Sequence, residues 1–391
     1  MKFTRVKTGV DLLLQAPEKH IGSQGIGLIT NPTGITGDVI PDVDAFQKNE
    51  RILLRTVFGP EHGSGGDAQD GQKIKSITDD SGLVTHSLFG RVLKPTKRML
   101  EGLEALVFDI QDVGARFYTY PSTMTYALEA AKENHLRFYV LDRPNPINGL
   151  NTEGNVLQPD FASFVGLNPV PIRHGMTIGE LALLINDRVD AELEVIPLAN
   201  WKRGMWFDQT GLTWVQPSPN VPTLDTATVY PGTCLFEGTN LSEGRGTTRP
   251  FEVIGAPWLD GREWALALNG LRLPGVVFRP CVFTPYFSKY KGSQCRGVQV
   301  HVLDRVRFEP VKTALHMLQT VLRRWPQDFK WLPSLPGEHC HFDHLAGTDK
   351  TRIQLMGGRA AVDIVEDWED ALSHFLERRE EFLLYRECGS S

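Results

Sequence analysis

Short runs of mostly apolar residues recur along the first half of the chain, separated by polar segments rich in glycine and proline. Short runs that are apolar almost throughout are typical of parallel strands buried on both faces of a sheet. We therefore predict strands at GIGLIT (25–30), RILLRTVF (51–58), EALVFDI (104–110), RFYVLD (137–142) and ELEVIPL (192–198).

Helical patterns lie between these predicted strands. Pro95 opens the segment 95–103, and proline suits the first turn of a helix. The apolar residues of 122–134 recur on one helical face. Thr177 and Glu180 form a T-x-x-E capping box ahead of another apolar segment. Strands that alternate with helices predict an open, doubly wound parallel sheet of the α/β class.

A proline-rich stretch at 215–233 interrupts this alternation. Its prolines argue against a regular helix or a central strand, so we expect an ordered connection between two domains. Beyond it the pattern predicts a smaller α/β unit, with helices over 261–271, 311–325 and 366–384 and strands over 275–280 and 297–303. The expected domains are residues 1–226 and 227–391.

Composition narrows the possible classes of protein. The 391 residues include 41 Lys plus Arg and 47 Asp plus Glu, a formal net charge of −6, with no basic block. This balance argues against nucleic acid or an anionic membrane as a partner. No apolar run approaches the ~20 residues that span a bilayer. The five cysteines are widely spaced and predict no disulfide framework. We expect an intracellular enzyme, and its oligomeric state stays open.

Polar residues follow several of the predicted strands, where ligands bind in open parallel sheets. The strand at 51–58 runs into a glycine-rich loop that begins with Glu61 and His62. A carboxyl group shielded there could act as a general acid, although capping loop amides or pairing with an arginine is the structural alternative. The next two strands are followed by Asp112, Arg116, Tyr118 and Tyr120, and by Asp142, Arg143 and Asn145.

The segment EGTNLSEGRGTTRPFE (237–252) is dense in hydrogen-bonding groups among its glycines. It contains Glu237, Asn240, Ser242, Glu243, Arg245 and Arg249. The two arginines suit a bound carboxylate, because a guanidinium can hold one through two hydrogen bonds. Arg173 and His174 could do the same at the start of the capped helix. A charged, solvated hairpin is the alternative interpretation for the first group, and helix N-terminal packing or ordinary surface charge is the alternative for the second.

Two other motifs carry little weight. The glycines of GSQGIGLITNPTG precede a strand, whereas a dinucleotide fingerprint follows one and opens a helix, and no P-loop pattern is present. EHCHFDH (338–344) gathers possible metal ligands but lacks a spaced second half, so we predict neither a metal site nor a cofactor.

Seven segments occur together in an order that is highly specific. They are GLITNPTGIT (27–36), FGPEHG (58–63), DIQDVGARFYTY (109–120), LDRPNPING (141–149), PVPIRHGMTIGELA (169–182), PSPNVPT (217–223) and YPGTCLFEGTNLSEGRGTTRPFE (230–252). Together they resemble the exo-β-N-acetylmuramidase family, glycoside hydrolases once described only as a domain of unknown function. The resemblance runs from about Gly9 to Tyr385.

The resemblance implies a Rossmann-like first domain, a smaller α/β second domain and an active site in the cleft between them. It implies release of β-1,4-linked N-acetylmuramic acid from the non-reducing end of peptidoglycan fragments, with the glutamate of PEHG, Glu61, as the catalytic residue. Many family members carry a secretion signal that is not apparent here, so a cytoplasmic recycling role is expected, with a secreted or periplasmic location as the alternative.

Glycoside hydrolysis normally uses two carboxyl groups, and the partner of Glu61 stays open. Asp112 is the first candidate for the second carboxyl group and Glu243 is the second candidate. In a third possibility, the substrate's own acetamido oxygen attacks in place of a carboxylate. We expect an arginine to bind the lactyl carboxylate of muramic acid, and the candidates are Arg116, Arg173, Arg245 and Arg249. The other expected substrate contacts are His62, Tyr118, Tyr120, His174, Asn220, Glu237 and Asn240.

Three rival functions accompany this interpretation. A nucleotide-dependent oxidoreductase would bind its nucleotide at the parallel sheet. A non-catalytic muropeptide-binding protein would bind its ligand in the same cleft without turnover. A metal-dependent hydrolase is suggested by EHCHFDH alone.

Overall fold

The computed structural model describes residues 4–63, 65, 77–78, 82–333 and 340–386. In this part of the chain the strands are β1 (Gly25–Thr30), β2 (Leu53–Gly59), β3 (Ile77–Thr78), β4 (Val84–Ser87), β5 (Ala105–Asp109), β6 (Arg137–Leu141), β7 (Glu153–Val156), β8 (Pro171–Arg173), β9 (Leu193–Ile196), β10 (Val253–Ala256), β11 (Val276–Phe283) and β12 (Cys295–Val302).

The α-helices of the same residues are α1 (Gly9–Gln15), α2 (Asp42–Gln47), α3 (Tyr120–Glu133), α4 (Ile178–Val189), α5 (Leu224–Thr233), α6 (Gly261–Gly270), α7 (Pro310–Arg324), α8 (His341–Ala346), α9 (Lys350–Met356), α10 (Ala361–Glu366) and α11 (Glu369–Arg379). None of these helices is long and apolar enough to cross a membrane.

The first part of the chain is built on one sheet with the strand order β3-β4-β2-β1-β5-β6-β9. Neighbouring strands from β4 to β9 are parallel, and only β3 pairs antiparallel. Successive residues of a strand face opposite sides of the sheet. Some side chains of β1 therefore pack against α1 and α2 on one face, and others belong to the core that contains α3 and α4 on the other face. The predicted α/β class and all five predicted strands are confirmed.

The second part contains an antiparallel sheet of order β10-β12-β11. Helices α6 and α7 pack together, α6 lies against β11 and β12, and α7 also packs on α5. A Cβ on Gly232 of α5 would lie 2.0 Å from the Pro310 carbonyl oxygen, so only glycine permits this approach of α5 to α7. The smaller α/β unit expected here is confirmed.

Three predictions of helical structure need correction. Residues 95–103 contain only a 3₁₀ turn at Lys97–Leu100, because Gly102 takes a left-handed φ of 77° and turns the chain toward β5. The proline-rich stretch does contain a helix, α5, which begins after most of its prolines and accommodates Pro231 near its end. The predicted helix 366–384 is instead α11 followed by a 3₁₀ turn at Glu380–Phe382.

The predicted boundary between residues 226 and 227 stays a prediction, and it falls within α5. The end of the chain also packs back onto the first part. The Tyr385 hydroxyl donates to Asp142 Oδ2 at 2.5 Å and accepts from the Leu198 amide at 2.7 Å. The two parts are therefore tied together at the chain's end as well as at α5.

Candidate active site

A cleft of about 290 Å³ lies where the carboxyl edge of the parallel sheet faces the second part. Its size is close to the lower end for small-molecule sites. Its polar lining consists of Glu61, His62, Tyr118, Thr119, Ser218, Asn220, Glu237, Arg245 and His341. Its remaining walls are largely aromatic, formed by Phe89, Phe117, Phe164, Tyr230 and Phe251 with Val165, Val221, Cys234 and Leu345.

Glu61 is placed by a tight turn at the end of β2. The Gly63 amide donates to the Pro60 carbonyl at 2.9 Å, and His62 has a φ of 70°, the pattern of a type II turn. The turn carries Glu61 into the cleft with only 6% of its surface exposed. Thr119, at the start of α3, donates to Glu61 Oε2 at 2.7 Å. One carboxylate oxygen is thereby fixed by a neighbouring strand-end loop.

A cluster of tyrosines lies beside Glu61. Tyr118 lines the cleft and packs edge-on against Tyr120 and Tyr230, with ring centroids 4.8 Å and 5.7 Å apart. Tyr120 is fully buried behind it and donates its hydroxyl to the Pro217 carbonyl. Burial raises the pKa of both Tyr118 and Tyr120 above the ordinary value, so both phenols stay protonated. The prediction that Tyr120 contacts substrate is corrected, because it supports Tyr118 from behind.

The opposite wall carries a chain of alternating charges. Arg245 Nη2 lies 2.6 Å from Glu237 Oε1, and Arg245 Nε lies 3.4 Å from Glu243 Oε1. His341 Nε2 lies 3.8 Å from Glu237 Oε2. Burial alone would raise the pKa of Glu237, but the charge of Arg245, the nearby His341 and the hydrogen bond from Arg245 outweigh it and bring that pKa down to about 2. Glu237 is therefore an ionised carboxylate in the cleft.

Phe251 supports this charged wall in an unusual backbone conformation. Its φ is 62°, which is rare for a bulky residue, and its amide donates to the Glu243 carbonyl at 2.6 Å. The Arg245 guanidinium lies 5.1 Å above its ring, and Tyr230 packs edge-on at 4.7 Å. Backbone strain of this kind concentrates at functional sites.

The two predicted partners of Glu61 do not line the cleft. Asp112 is 3% exposed, accepts from the Gly114 amide at 2.8 Å, and lies 3.2 Å from His174 Nε2. Glu243 is buried between Arg245 and Lys289, whose Nζ donates to it at 2.9 Å. Both carboxylates are engaged in holding neighbouring groups, so we correct the expectation that either of them reaches the sugar.

Two predicted arginines are also engaged elsewhere. Arg116 donates to the carbonyls of Asn155, Val170 and Leu345 at 2.8–2.9 Å, which ties the first part to α8. Arg173 donates to the Ile147 carbonyl at 2.6 Å and lies over the ring of Trp206. Both side chains are buried away from the cleft lining, so the expectation that they read a carboxylate is corrected.

Three further predicted contacts lie outside the cleft lining. His174 is fully buried, and its Nδ1 accepts from the Met176 amide at 3.2 Å. Asn240 bonds the backbone of Asp328 and Lys330, both at 2.8 Å. Arg249 is half exposed and pairs with Glu252 at 3.1 Å in a separate groove. These three predictions are corrected because local backbone and ion-pair contacts hold the side chains.

Sequence reasoning missed Thr119, Ser218 and the cleft role of His341. Thr119 and Ser218 lie within quoted motifs but carry no distinctive pattern of their own. His341 comes from EHCHFDH, where Asp343 instead pairs with Arg352 and Cys340 Sγ lies 3.1 Å from the Leu332 carbonyl. Glu338 and His339 lie outside the described residues, and within those residues no cluster of three potential ligands could hold a metal ion.

Family models now identify the relationship. The N-terminal model of exo-β-N-acetylmuramidase NamZ matches residues 26–225, and its C-terminal model matches residues 228–385. The chain belongs to the exo-β-N-acetylmuramidase NamZ family. The resemblance drawn from the motifs is confirmed.

Individual relatives agree with the family models. The chain is 49% identical over 387 residues to the peptidoglycan β-N-acetylmuramidase NamZ of Bacillus subtilis, covering 98% of this chain and 92% of the relative. Two crystal structures of DUF1343 family proteins from Bacteroides fragilis share the NamZ-family fold described here. The first has a TM-score of 0.89, 35% identity and coverage of 98% and 99% of the two chains. The second has a TM-score of 0.77, 29% identity and coverage of 98% and 100%.

Proposed function

We propose that this enzyme releases β-1,4-linked N-acetylmuramic acid from the non-reducing end of peptidoglycan fragments, with Glu61 as its general acid and base. Membership of the muramidase family supports the reaction class. The observation that carries the assignment is the position of Glu61, buried in the cleft with one oxygen held by Thr119 and facing a wall of fixed charges. The substrate is a saccharide small enough to enter the cleft.

Glu61 has the surroundings that a general acid needs. A glycosidase acid delivers a proton to the oxygen of the leaving sugar and later takes one from water. Thr119 holds Oε2 at 2.7 Å and so fixes the direction in which the other oxygen points. The turn at Pro60–Gly63 fixes the backbone from which the side chain extends.

Glu237 is the better candidate for the second carboxyl group. It lines the same cleft, whereas Asp112 and Glu243 do not. The ion pair with Arg245 keeps Glu237 ionised, which suits the second of the two roles that a pair of glycosidase carboxyls divides. Glu237 would stabilise positive charge at the anomeric carbon, or would orient the acetamide if that group attacks.

Arg245 is the candidate that would read the lactyl carboxylate. It is the arginine that lines the cleft within the described residues, after Arg116, Arg173 and Arg249 are placed elsewhere. Glu237 and Glu243 hold its guanidinium in one orientation before substrate arrives. A preoriented guanidinium can bind a planar carboxylate with little loss of side-chain entropy.

No observation favours the oxidoreductase alternative. The crevice at the β1/β5 switch point, where doubly wound folds bind nucleotides, is filled by Asp42, Asp109 and Arg143. Arg143 Nε lies 2.6 Å from Asp109 Oδ1, and Thr30 donates to Asp42 at 2.5 Å. Arg143 also lines a neighbouring cavity of about 20 Å³, which has room for a water molecule but not for a nucleotide.

Replacing the catalytic carboxyl tests the assignment. Glu61→Gln keeps the shape but removes the acid, and we expect kcat on a chromogenic β-N-acetylmuramide to fall by at least ~10²-fold. Glu263→Gln, which changes an exposed side chain of α6, is the matched control and should leave kcat unchanged. Near-normal turnover by the Glu61 variant would overturn its role. Binding of muramides by the wild-type protein without any turnover would instead favour a muropeptide-binding protein.

A further inference from the structure

Lys289 lies behind the charged wall of the cleft, on the loop that joins β11 to β12. Its side chain is 20% exposed, and oxygens of one short segment surround its ammonium group. Nζ lies 2.9 Å from the Phe236 carbonyl oxygen, 3.1 Å from that of Glu237 and 3.0 Å from that of Leu241. It also donates to Glu243 Oε2 at 2.9 Å. Because these bonds involve a charged donor, they hold the segment more firmly than neutral hydrogen bonds would.

The backbone on both sides of Lys289 has an unfavourable conformation. Ser288 and Tyr290 have φ values of 68° and 57°, in the left-handed region that residues other than glycine seldom adopt. Tyr290 also donates its hydroxyl to the Asn240 carbonyl at 2.6 Å, so a second bond ties the loop to the same segment. Backbone strain persists only where the surrounding contacts impose it. The fold therefore fixes the position from which Lys289 reaches the charged wall.

Glu243 connects Lys289 to the guanidinium that lines the cleft. Its Oε2 pairs with Lys289 at 2.9 Å, and its Oε1 pairs with Arg245 Nε at 3.4 Å. Within the described residues these are the two cations that pair with Glu243, and Lys289 is the closer one. Arg245 in turn pairs more closely with Glu237, at 2.6 Å. Lys289 therefore neutralises a carboxylate that would otherwise compete with Glu237 for Arg245.

The burial of Glu243 makes this neutralisation important. Its side chain is 2% exposed, and a buried carboxylate that loses its cation is costly because water does not replace the partner. Without Lys289, the cation left to Glu243 in the described part of the chain is Arg245. The guanidinium would then be drawn toward Glu243, and a carboxylate entering the cleft would meet a cation already shared by two acids. Its binding would weaken as a result.

We infer that Lys289 is a positioning residue for the substrate's carboxylate, because it neutralises Glu243 and so keeps Arg245 oriented toward the cleft. This inference rests on the proposed function, in which Arg245 binds the lactyl group. It goes beyond that function, because Lys289 lies outside the cleft lining and acts only through its neighbours. It requires that the effect of losing Lys289 arises from the charge of Glu243.

The test is a cycle of four proteins, namely the wild type, Lys289→Met, Glu243→Gln and the double variant. Each substitution nearly keeps the shape of the side chain and removes its charge. We expect Lys289→Met to raise KM for the chromogenic β-N-acetylmuramide by about 10-fold, the low end of the coupling between close charge pairs, with a smaller change in kcat. Lys291→Met, at an exposed lysine of the same loop, is the control and should keep the wild-type KM.

The double variant decides how Lys289 acts. If Lys289 serves to neutralise Glu243, removal of that acid should bring KM back to within about 3-fold of the Glu243→Gln value. A KM in the double variant that is no lower than that of Lys289→Met would overturn the inference, because a merely structural lysine acts independently of the charge on the acid. An unchanged KM in Lys289→Met would overturn it as well.

A thermal melt of each variant shows whether it is folded. If Lys289→Met does not fold, Lys289→Gln takes its place under the same criteria, because glutamine lacks the charge but keeps donors for the backbone carbonyls.

Calorimetric binding of N-acetylmuramic acid separates this inference from the proposed function. If the wild-type protein binds this sugar acid but hydrolyses no muramide, and Lys289→Met loses an affinity that the double variant regains, the proposed function fails and the inference holds. If the wild-type protein hydrolyses muramides and the double variant regains neither KM nor affinity, the inference fails and the proposed function holds.

Discussion

His62 occupies a backbone conformation that glycine adopts more easily than any other residue. Its φ of 70° closes the turn that presents Glu61, and its side chain lines the cleft. Phe251, on the opposite wall, also has a left-handed φ. Both walls of the cleft therefore hold a residue against its local preference, as expected where geometry serves a site rather than stability.

The strain at His62 can be measured by comparing two substitutions that both remove the imidazole. We expect His62→Gly to be more stable than His62→Ala by ~0.5–1 kcal/mol, because glycine adopts a positive φ without the Cβ clash and loses only part of that gain to chain entropy. Urea unfolding measures the difference. An alanine variant at least as stable as the glycine variant would show that the turn costs nothing at this position.

Residue-level reasoning from the sequence found Glu61, because it follows a buried strand directly. The same reasoning proposed Arg116, which also follows a predicted strand, and Arg173 was proposed from its place at the start of the capped helix. Their guanidiniums are instead bound to backbone carbonyls. Which way a buried arginine points depends on carbonyl groups that are distant in sequence, so its role could not be predicted from its position alone.

At the scale of the element, α4 shows local sequence and tertiary packing in agreement. Thr177 Oγ1 accepts from the Glu180 amide at 3.2 Å, and Glu180 Oε2 accepts from the Thr177 amide at 3.0 Å, which completes the predicted capping box. The same Thr177 hydroxyl donates to Asp142 Oδ2 at 2.8 Å. The cap therefore also ties α4 to the end of β6.

Removing this cap should cost more than an ordinary surface cap. We expect Thr177→Ala to lower the free energy of unfolding by ~2–3 kcal/mol, because it removes the cap and also leaves buried Asp142 without one donor. Thr177→Ser keeps the hydroxyl and is the control, with a loss below ~1 kcal/mol. Chemical denaturation measures both variants. Equal losses would mean that the methyl group, rather than the hydroxyl, carries the contribution.

Elements with strong local signals were predicted well, and those shaped by packing were not. The strand β4 was missed because its sequence, VTHS, is short and half-buried rather than apolar. Helix α5 was missed because Pro231 suggested a break, yet α5 ends within two residues of it and packs tightly on α7. In both cases neighbouring elements outweigh a weak or misleading local pattern.

At the scale of the whole molecule, Glu153 connects the two parts through a buried carboxyl group. It lies on β7, and its Oε1 accepts from the Lys312 amide at the start of α7 at 2.7 Å. Its Oε2 is buried without a hydrogen-bond partner. Burial raises the pKa of Glu153 to about 7, so its charge is unfavourable in the folded protein.

This shift predicts the direction of a pH dependence. A carboxyl group whose pKa is higher in the folded than in the unfolded state stabilises the fold when it is protonated. This contribution is complete at a pH below the unfolded-state pKa of about 4.3, and it is lost as the pH rises to the folded-state pKa of about 7. The slope from one such group is at most ~1.4 kcal/mol per pH unit. We expect Glu153→Gln, which keeps an acceptor for Lys312, to flatten the pH dependence of stability between pH 5 and 7.

Urea unfolding of both proteins at pH 5, 6, 7 and 8 measures this effect. Relative to wild type, the variant should gain stability steadily up to pH 7 and no further above it. Glu133→Gln, an exposed acid at the end of α3 that is not among the charges acting on Glu153, is the control and should follow the wild-type profile. A constant difference between wild type and the Glu153 variant at every pH would show that Glu153 does not titrate in this range.

The sequence by itself determined the α/β class, the parallel strands, the capping of α4, the family and the position of Glu61. These features rest on local periodicity and on motifs whose residues are close in sequence. Only the tertiary structure decided which polar side chains face the cleft, because Glu237, Arg245, Asn220 and His341 reach it from distant segments. Whether such a side chain faces a ligand or a backbone carbonyl depends on hydrogen-bond partners that the fold brings together.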